Sequence, residues 1–240
     1  MKINLKNTIL NYFESQKQLS REDLLLRLTN DFPQLSKGSI SVYLSRLKKN
    51  GFIKNPYRGI YALSDTKEFN PQIELQLKKI YNKIYNRFPF ITFCIWNTRW
   101  LNDLMKCEPF KYLIIIEVEK ESSEQVFQLL NEELKNVYLN PNEETLDRYI
   151  YSNNNESVIV KNLITEAPIL EKDKIIIPTL EKILIDLIAD KDIFLAQQSE
   201  LNTIYQIARS EYTLSISKVN RYAMRRNKEA ELRNNIIGIK

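Results

Sequence analysis

The feature that most restricts how this chain can fold is the placement of helix caps and helix breakers in its first sixty residues. Apolar side chains recur at helical spacing over residues 3–15, which predicts a first amphipathic helix. Ser20 and Asp23 form a pattern typical of a capping box and predict the start of a second helix. Pro33 cannot continue that helix and therefore predicts its end.

A third helix is expected to begin after the N-cap Ser36 and to end before Gly51, where a left-handed C-cap is favoured. Its predicted inward face consists of Ile40, Tyr43, Leu44 and Leu47. The opposite face is small, hydroxylic and basic, so it can lie in the major groove of DNA and reach base edges and phosphates. The residues predicted to contact DNA from this helix are Lys37, Ser39, Ser41, Val42, Ser45, Arg46 and Lys49.

Two short alternating segments, 52–54 and 60–63, flank a turn that contains proline and glycine, which predicts a β-hairpin. Three helices followed by a hairpin is the order of a winged helix-turn-helix, which we predict for residues 1–64. Lys54, Tyr57 and Arg58 lie near the hairpin tip and are expected to hold phosphates or the minor groove. The alternative is a small helical domain used for protein contacts.

The charge distribution favours DNA as the partner of this N-terminal part. Residues 1–64 carry a net charge of +7, residues 65–208 carry −7, and residues 209–240 carry +5. Because neutralisation of phosphates dominates affinity for DNA, a basic head on an acidic body predicts double-stranded DNA at one end of the chain.

Several absences exclude common functions. The chain has no histidine, which removes Ser-His-Asp and Cys-His catalysis. It has only four glycines, too few and too scattered for a phosphate-binding loop, so we expect no cofactor. No apolar run approaches the ~20 residues that cross a bilayer, and no signal peptide is recognisable. We therefore expect a cytoplasmic protein without membrane contact.

Residues 71–178 alternate helical and strand-like patterns, which predicts an α/β domain with a small central sheet. Glu117 and Glu119 are two apart on a predicted strand and so share one face. We interpret them as a solvated strand end. The alternative is a metal site of a nuclease or nucleotidyl-transfer-like enzyme that the N-terminal domain targets to DNA.

Residues 179–240 are predicted to form a C-terminal helical segment that packs on the α/β domain. Lys182, Asp186 and Asp190 are expected on the polar side of its first helix. Arg226 falls on the inward stripe of the last helix, predicted over 218–233, and a buried guanidinium needs a partner.

The candidate partners of Arg226 are Asp186 and Glu181, which would make a structural ion pair. Two alternatives stay open. The helix end is solvated and stabilised by the helix dipole, or it is a binding site at which Arg225 and Arg221, on its flank, contact an acidic partner or nucleic acid.

Two stretches, Thr179–Leu187 and Tyr222–Arg226, together with the order of the predicted domains, make the chain resemble the AbiE-type antitoxin family. Members of that family are transcriptional regulators encoded beside nucleotidyltransferase toxins. The resemblance implies a winged helix that binds an operator near its own promoter, and a body that counters or senses the toxin.

The leading hypothesis is therefore a non-enzymatic DNA-binding regulator, the antitoxin of a toxin–antitoxin or phage-defence pair. A metal-dependent enzyme that uses Glu117 and Glu119 is one alternative. The other is a toxin-binding adaptor whose winged helix no longer binds DNA.

Overall fold

A computed structural model describes residues 5–14, 16–153 and 155–233, which form a mixed α and β structure with small sheets and several helices. The chain divides into two compact units. The first contains the described residues up to Glu68 together with Arg209–Ser217, and the second contains Phe69–Ala208 and the described residues from Lys218 onward. Within the predicted C-terminal segment 179–240, the stretch Arg209–Ser217 belongs to the first unit, and the other described residues belong to the second.

Three helices and three short strands form the N-terminal part of the first unit. They are α1 (Leu5–Glu14), β1 (Leu19–Ser20), α2 (Arg21–Asp31), α3 (Lys37–Lys49), β2 (Ile53–Lys54) and β3 (Ile60–Leu63). The strands form an antiparallel sheet in the order β1-β3-β2. Strand β1 is absent from the sequence prediction, because two residues are too few to show an alternating pattern.

The predicted caps set the ends of the helices. The Ser20 Oγ accepts a hydrogen bond from the Asp23 backbone N–H at 3.0 Å, and the Ser36 Oγ accepts one from the Ser39 N–H at 3.1 Å. Gly51 has a φ of 72°, the left-handed conformation expected after α3. The three helices and the sheet enclose one apolar core, formed by Ile9, Phe13, Leu19, Leu24, Leu28, Ile40, Leu44, Leu47 and Ile53.

The segment 209–217 completes the first unit through main-chain bonds to the end of the N-terminal part. The Lys67 N–H donates to the Glu211 carbonyl at 2.7 Å, and the Thr213 N–H donates to the Lys67 carbonyl at 2.9 Å. These bonds join residues more than 140 positions apart in the sequence, which is why a linear division of the chain misses them.

The second unit is built on a four-stranded mixed sheet. In chain order, the helices and strands of this part are α4 (Leu75–Arg87), β4 (Phe93–Asn97), β5 (Leu113–Val118), α5 (Ser123–Asn131), β6 (Val137–Leu139), α6 (Glu143–Thr145) and β7 (Ser157–Asn162). The strand order is β4-β5-β7-β6, with β4 antiparallel to β5 and the other pairs parallel. The unit also contains a 3-10 helix (Thr98–Leu104) and a π-helix (Leu146–Tyr151).

A two-stranded antiparallel sheet and further helices follow. They are β8 (Ile169–Lys172), β9 (Ile175–Pro178), α7 (Leu180–Ala189), α8 (Leu195–Gln198), α9 (Leu201–Glu211), α10 (Ile216–Arg225) and α11 (Glu229–Leu232). The predicted last helix is interrupted because Asn227 adopts a φ of 53°, which ends α10 before α11 begins. Among the described helices, none has the length and apolar content needed to cross a membrane.

Replacing Gly51 by alanine should lower the free energy of unfolding by about 1–2 kcal/mol, because an L-residue is strained in the left-handed region. The added Cβ would also lie 3.2 Å from Thr213 Cγ2, a contact between the α3 end and the segment 209–217. Urea unfolding measures the change.

Gly59→Ala is the matched control, since Gly59 has a φ of 78° but no heavy atom within 4 Å of the ideal Cβ position. Gly51→Ala should be the more destabilising of the two. Equal losses would show that the Thr213 contact does not constrain the first unit.

Candidate nucleic-acid interface and buried ion ring

The outward face of α3 is the first candidate site. The buried face holds Ile40, Leu44 and Leu47, with Tyr43 packed beside them, and most of the other side chains are exposed to solvent. The helix contains no carboxylate, and its last turn carries Arg46, Lys48 and Lys49. Val42, a β-branched apolar residue, is 53% exposed among these polar neighbours. This face can therefore contact a ligand through cations, through hydroxyl groups and through the methyl groups of Val42.

Most of the residues predicted to contact DNA from α3 are exposed. They are Lys37, Ser39, Val42, Ser45, Arg46 and Lys49, whereas Ser41 is half-buried. The Ser39 hydroxyl lies 2.9 Å from the Ser36 Oγ, so it takes part in the helix cap. The Ser41 Oγ accepts a bond of 3.4 Å from the Arg21 guanidinium. Ser39 and Ser41 are therefore less available than the basic residues.

The turn between β2 and β3 presents a second basic group of side chains. Tyr57 is 69% exposed and Arg58 is also exposed. Lys54, predicted to act with them, instead forms an ion pair with Asp65. The turn is held by two bonds: Asn55 Nδ2 donates to the Ile60 carbonyl at 2.8 Å, and the Ile60 N–H donates to the Tyr57 carbonyl at 3.1 Å.

Two further cations lie beside this turn and are absent from the sequence prediction. Arg21, at the start of α2, and Lys48, near the end of α3, line the same cleft as Tyr57 and Arg58. The sequence contains little signal for this cluster, because its members come from three elements. The pairing of β1 with β3 brings the start of α2 next to the turn.

The second candidate site is a closed ring of six charges in the second unit, four of them buried and two half-buried, called here the ion ring. Three carboxylates alternate with three cations, so each charge contacts two of opposite sign. In order around the ring they are Glu117, Lys182, Asp186, Arg226, Asp190 and Lys161.

The contacts of the ion ring combine hydrogen bonds with longer ion pairs. Lys182 Nζ donates to Glu117 and, at 2.5 Å, to Asp186 Oδ2. Arg226 donates to Asp190 Oδ1 at 2.6 Å, and its Nε lies 3.7 Å from Asp186 Oδ1. Lys161 donates to Asp190, and its Nζ lies 3.8 Å from Glu117 Oε2. These contacts connect the sheet, α7 and the end of α10.

Burial makes the ring's charge balance a structural requirement. Glu117, Lys182 and Asp186 each have 0% exposure. An isolated charge in such a place would cost several kcal/mol, and the opposite charges of the ring offset that cost. Cys94 and Lys161 are the cross-strand neighbours of Glu117 in the sheet register, so strand pairing places the lysine where the ring needs it.

The ring shifts the pKa values of Asp186, Lys182, Lys161 and Arg226 toward the charged forms. Burial alone would raise the pKa of Asp186, but the cations of Lys182, Lys161 and Arg226 outweigh it and hold the pKa below its usual value. Burial alone would lower the pKa of Lys182, but Asp186 and Glu117 hold it well above its usual value. Burial raises the pKa of Tyr222, whose hydroxyl donates to Asp186 Oδ1 at 2.9 Å.

The structure corrects two sequence interpretations. Glu117 is not at a solvated strand end, because its strand is covered and its carboxylate pairs with Lys182. Lys182 and Asp186, expected on the polar side of α7, are both fully buried. Helical periodicity identifies the shared face of such residues but does not show whether a partner charge covers it.

The predicted ion-pair residues are placed as follows. Arg226 contacts Asp186, one of its two candidate partners, and also Asp190. The other candidate, Glu181, is buried in the first turn of α7. Arg225 pairs with Glu166, with both side chains about half exposed.

Glu117 and Glu119, the carboxylates of the metal-site hypothesis, have different environments. Glu119 follows β5 and accepts a hydrogen bond from the Thr92 backbone N–H at 3.1 Å. In the described parts of the chain, no group of three or more His, Cys, Asp or Glu side chains is arranged to hold a metal ion.

The chain matches a known protein family over most of its length. A family model described as a family of unknown function (DUF6577) matches residues 39–239, a range that includes all six residues of the ion ring. No curated protein matches the chain at a significant level.

Lys182→Met should destabilise the second unit by about 3–5 kcal/mol, because it leaves the carboxylates of Glu117 and Asp186 buried without their shared cation. The double variant Glu117→Gln, Lys182→Met keeps the ring neutral and should recover part of the loss. Urea unfolding of both variants, with Lys79→Met as an exposed control, measures the coupling. A loss in the single variant no larger than that of the control would contradict a structural role for the ring.

Proposed function

Because this chain belongs to the DUF6577 family, whose function is unknown, we propose its function from the geometry of the first unit. It is a DNA-binding transcriptional regulator, and its first unit is a winged helix-turn-helix that binds double-stranded DNA. In this proposal α3 is the recognition helix and the turn between β2 and β3 is the tip of the wing.

The observation that carries the proposal is the outward face of α3, which exposes cations and small side chains on a helix without a carboxylate. A helix of this kind can approach a groove closely, since no acidic side chain repels the phosphates. Arg46 is suited to guanine, whose O6 and N7 accept its two donors. The exposed methyl groups of Val42 suit contact with a thymine methyl group.

The element order and the sheet of the first unit support the same proposal. The chain runs α1-β1-α2-α3-β2-β3, and β1 pairs with the hairpin that β2 and β3 form. This arrangement fixes the turn with respect to α2 and α3, so its basic residues and those of α3 can contact one duplex together.

Net charge supports DNA contact by the first unit. Residues 65–208, most of the second unit, carry a net charge of −7, which disfavours their approach to a polyanion. The ion ring adds no free cation, because its three positive charges are paired with three negative ones.

The proposal extends to an antitoxin that binds a nucleotidyltransferase toxin, on the resemblance in Thr179–Leu187 and Tyr222–Arg226. Co-purification with a nucleotidyltransferase encoded next to this gene tests that extension. Absence of such a gene, or of any complex with its product, would remove it and leave the regulator. DNA binding does not depend on this partner.

The double variant Arg46→Glu, Arg58→Glu should weaken binding to a duplex selected by the unsubstituted chain, at about 1–3 kcal/mol for each residue. Both side chains are exposed, so the fold should remain intact. Fluorescence anisotropy over a series of salt concentrations gives the affinity and its salt slope, which should become shallower.

The matched control is Lys79→Glu, Arg87→Glu, which changes the net charge equally on exposed residues of α4 in the second unit. It should affect affinity far less. Equal losses of affinity in the two double variants would show that overall charge causes the effect. They would contradict the assignment of α3 and the turn as the DNA-contacting surface. An unsubstituted chain that binds no duplex at moderate salt would favour the adaptor alternative.

A further inference from the structure

The basic cleft of the first unit, lined by Arg21, Lys48, Asn55, Pro56, Tyr57, Arg58, Gly59 and Tyr61, is a site with chemistry of its own. We infer that Arg21, Lys48 and Arg58 together clamp a single phosphate group of the DNA backbone. This inference rests on the proposed DNA binding and adds to it a defined contact, made outside the face of α3 that reads bases.

The three cations of the cleft are available to an anion. Each is exposed, and none forms an ion pair with any residue in the described part of the chain. Elsewhere in the first unit lysines do pair with acids, as Lys54 does with Asp65. Three unpaired cations around one cleft repel each other, and an anion between them relieves that repulsion.

The cleft lining contains no carboxylate. Glu22 and Asp23 follow Arg21 in the sequence, but neither lines the cleft. The carboxylate of Asp23 instead accepts a hydrogen bond of 2.7 Å from the Ser20 hydroxyl. The cleft therefore differs from a mixed-charge surface, in which acids would compete with a phosphate for the cations.

Main-chain bonds hold the elements that carry the cations in fixed positions. The Arg21 N–H donates to the Gly59 carbonyl at 2.8 Å, which ties the start of α2 to the turn that carries Arg58. The Gly51 N–H donates to the Lys48 carbonyl at 3.0 Å, and the Phe52 N–H donates to the Leu47 carbonyl at 2.9 Å. These bonds fix the end of α3 against β2.

The side chain of Arg21 is also oriented, since its Nη2 lies 3.4 Å from the Ser41 Oγ on α3. A site whose parts are already in place loses little conformational entropy when it binds. Two guanidinium groups and an ammonium group supply enough donors for the oxygens of one phosphodiester. Tyr57 and Tyr61 complete the lining of the cleft.

The salt dependence of binding tests whether the three cations share one phosphate. Because the slope of log affinity against log salt counts neutralised phosphates, the triple variant Arg21→Gln, Lys48→Gln, Arg58→Gln should lower its magnitude by about 1. Three independent phosphate contacts would lower it by about 3. Each single variant should lower affinity by about 3- to 10-fold at ~0.1 M salt.

A duplex selected by the full chain, with one neutral methylphosphonate linkage placed in turn along each strand, locates the phosphate. At one linkage position, the three single variants and the unsubstituted chain should bind the duplex with the same affinity. The neutral linkage there removes the phosphate charge that the three cations contact, so loss of one cation no longer matters. Arg46→Gln should keep its defect on that duplex. Lys79→Gln and Arg87→Gln are the controls for charge, and unchanged thermal midpoints show that each variant is folded.

The outcomes separate this inference from the proposed function. Suppose that the chain binds DNA but the three single variants point to three different linkages, or that the triple variant changes the salt slope by about 3. Either result would overturn the clamp and leave the proposed function standing. A different pair of results would assign the cleft to a free phosphate ion. In that case inorganic phosphate at constant ionic strength competes with the duplex for the unsubstituted chain but not for the triple variant, and no linkage is sensitive. Failure of the unsubstituted chain to bind any duplex would overturn the proposed function and the clamp together.

Discussion

The closed ring of six charges, four of them buried and two half-buried, is the constraint on which the second unit depends. No member can be buried alone, since an unpaired charge in the interior costs several kcal/mol. The ring is complete only when Glu117 and Lys161 are in register on neighbouring strands and both α7 and the end of α10 pack over them. The ring therefore makes sheet register and helix packing depend on each other, and excludes arrangements in which one of these elements is displaced.

The ion ring and the basic surfaces of the first unit hold their cations in opposite ways, and this contrast is the basis of the functional account. In the ion ring, Lys161 and Lys182 are buried, Arg226 is half-buried, and each lies between two carboxylates. In the first unit, the cations of α3 and of the cleft are exposed on surfaces without acids. Paired charges specify a fold, whereas unpaired cations held by a rigid scaffold favour an anionic ligand. The stretches that carry the family resemblance contain Lys182, Asp186, Tyr222 and Arg226, so their residues serve the fold of the second unit.

The part of the structure that sequence reasoning reaches is local. Ser20, Ser36 and Gly51 set helix ends through bonds within a few residues, and their pattern predicts three helices and a hairpin. Strand β1 is too short to show a pattern, and the ring depends on pairs such as Glu117 with Lys182, 65 positions apart. The position of Arg226 on an apolar helix stripe is the one sequence feature that points to the ring. It shows that the guanidinium needs an acidic partner, but it does not identify the other ring residues. The sequence does not predict the basic cleft for the same reason, since Arg21, Lys48 and Arg58 come together only when the chain folds.

Hydrogen exchange of the full chain, with and without a saturating duplex, tests the central claim most directly, because it locates the DNA-bound surface without any substitution. The account predicts slower exchange in the first unit, concentrated in α3 and in the turn between β2 and β3. The amides of β5, β7 and α7 around the ion ring should exchange at the same rate in both states. Protection centred on the second unit, with α3 and the turn unchanged, would contradict the account.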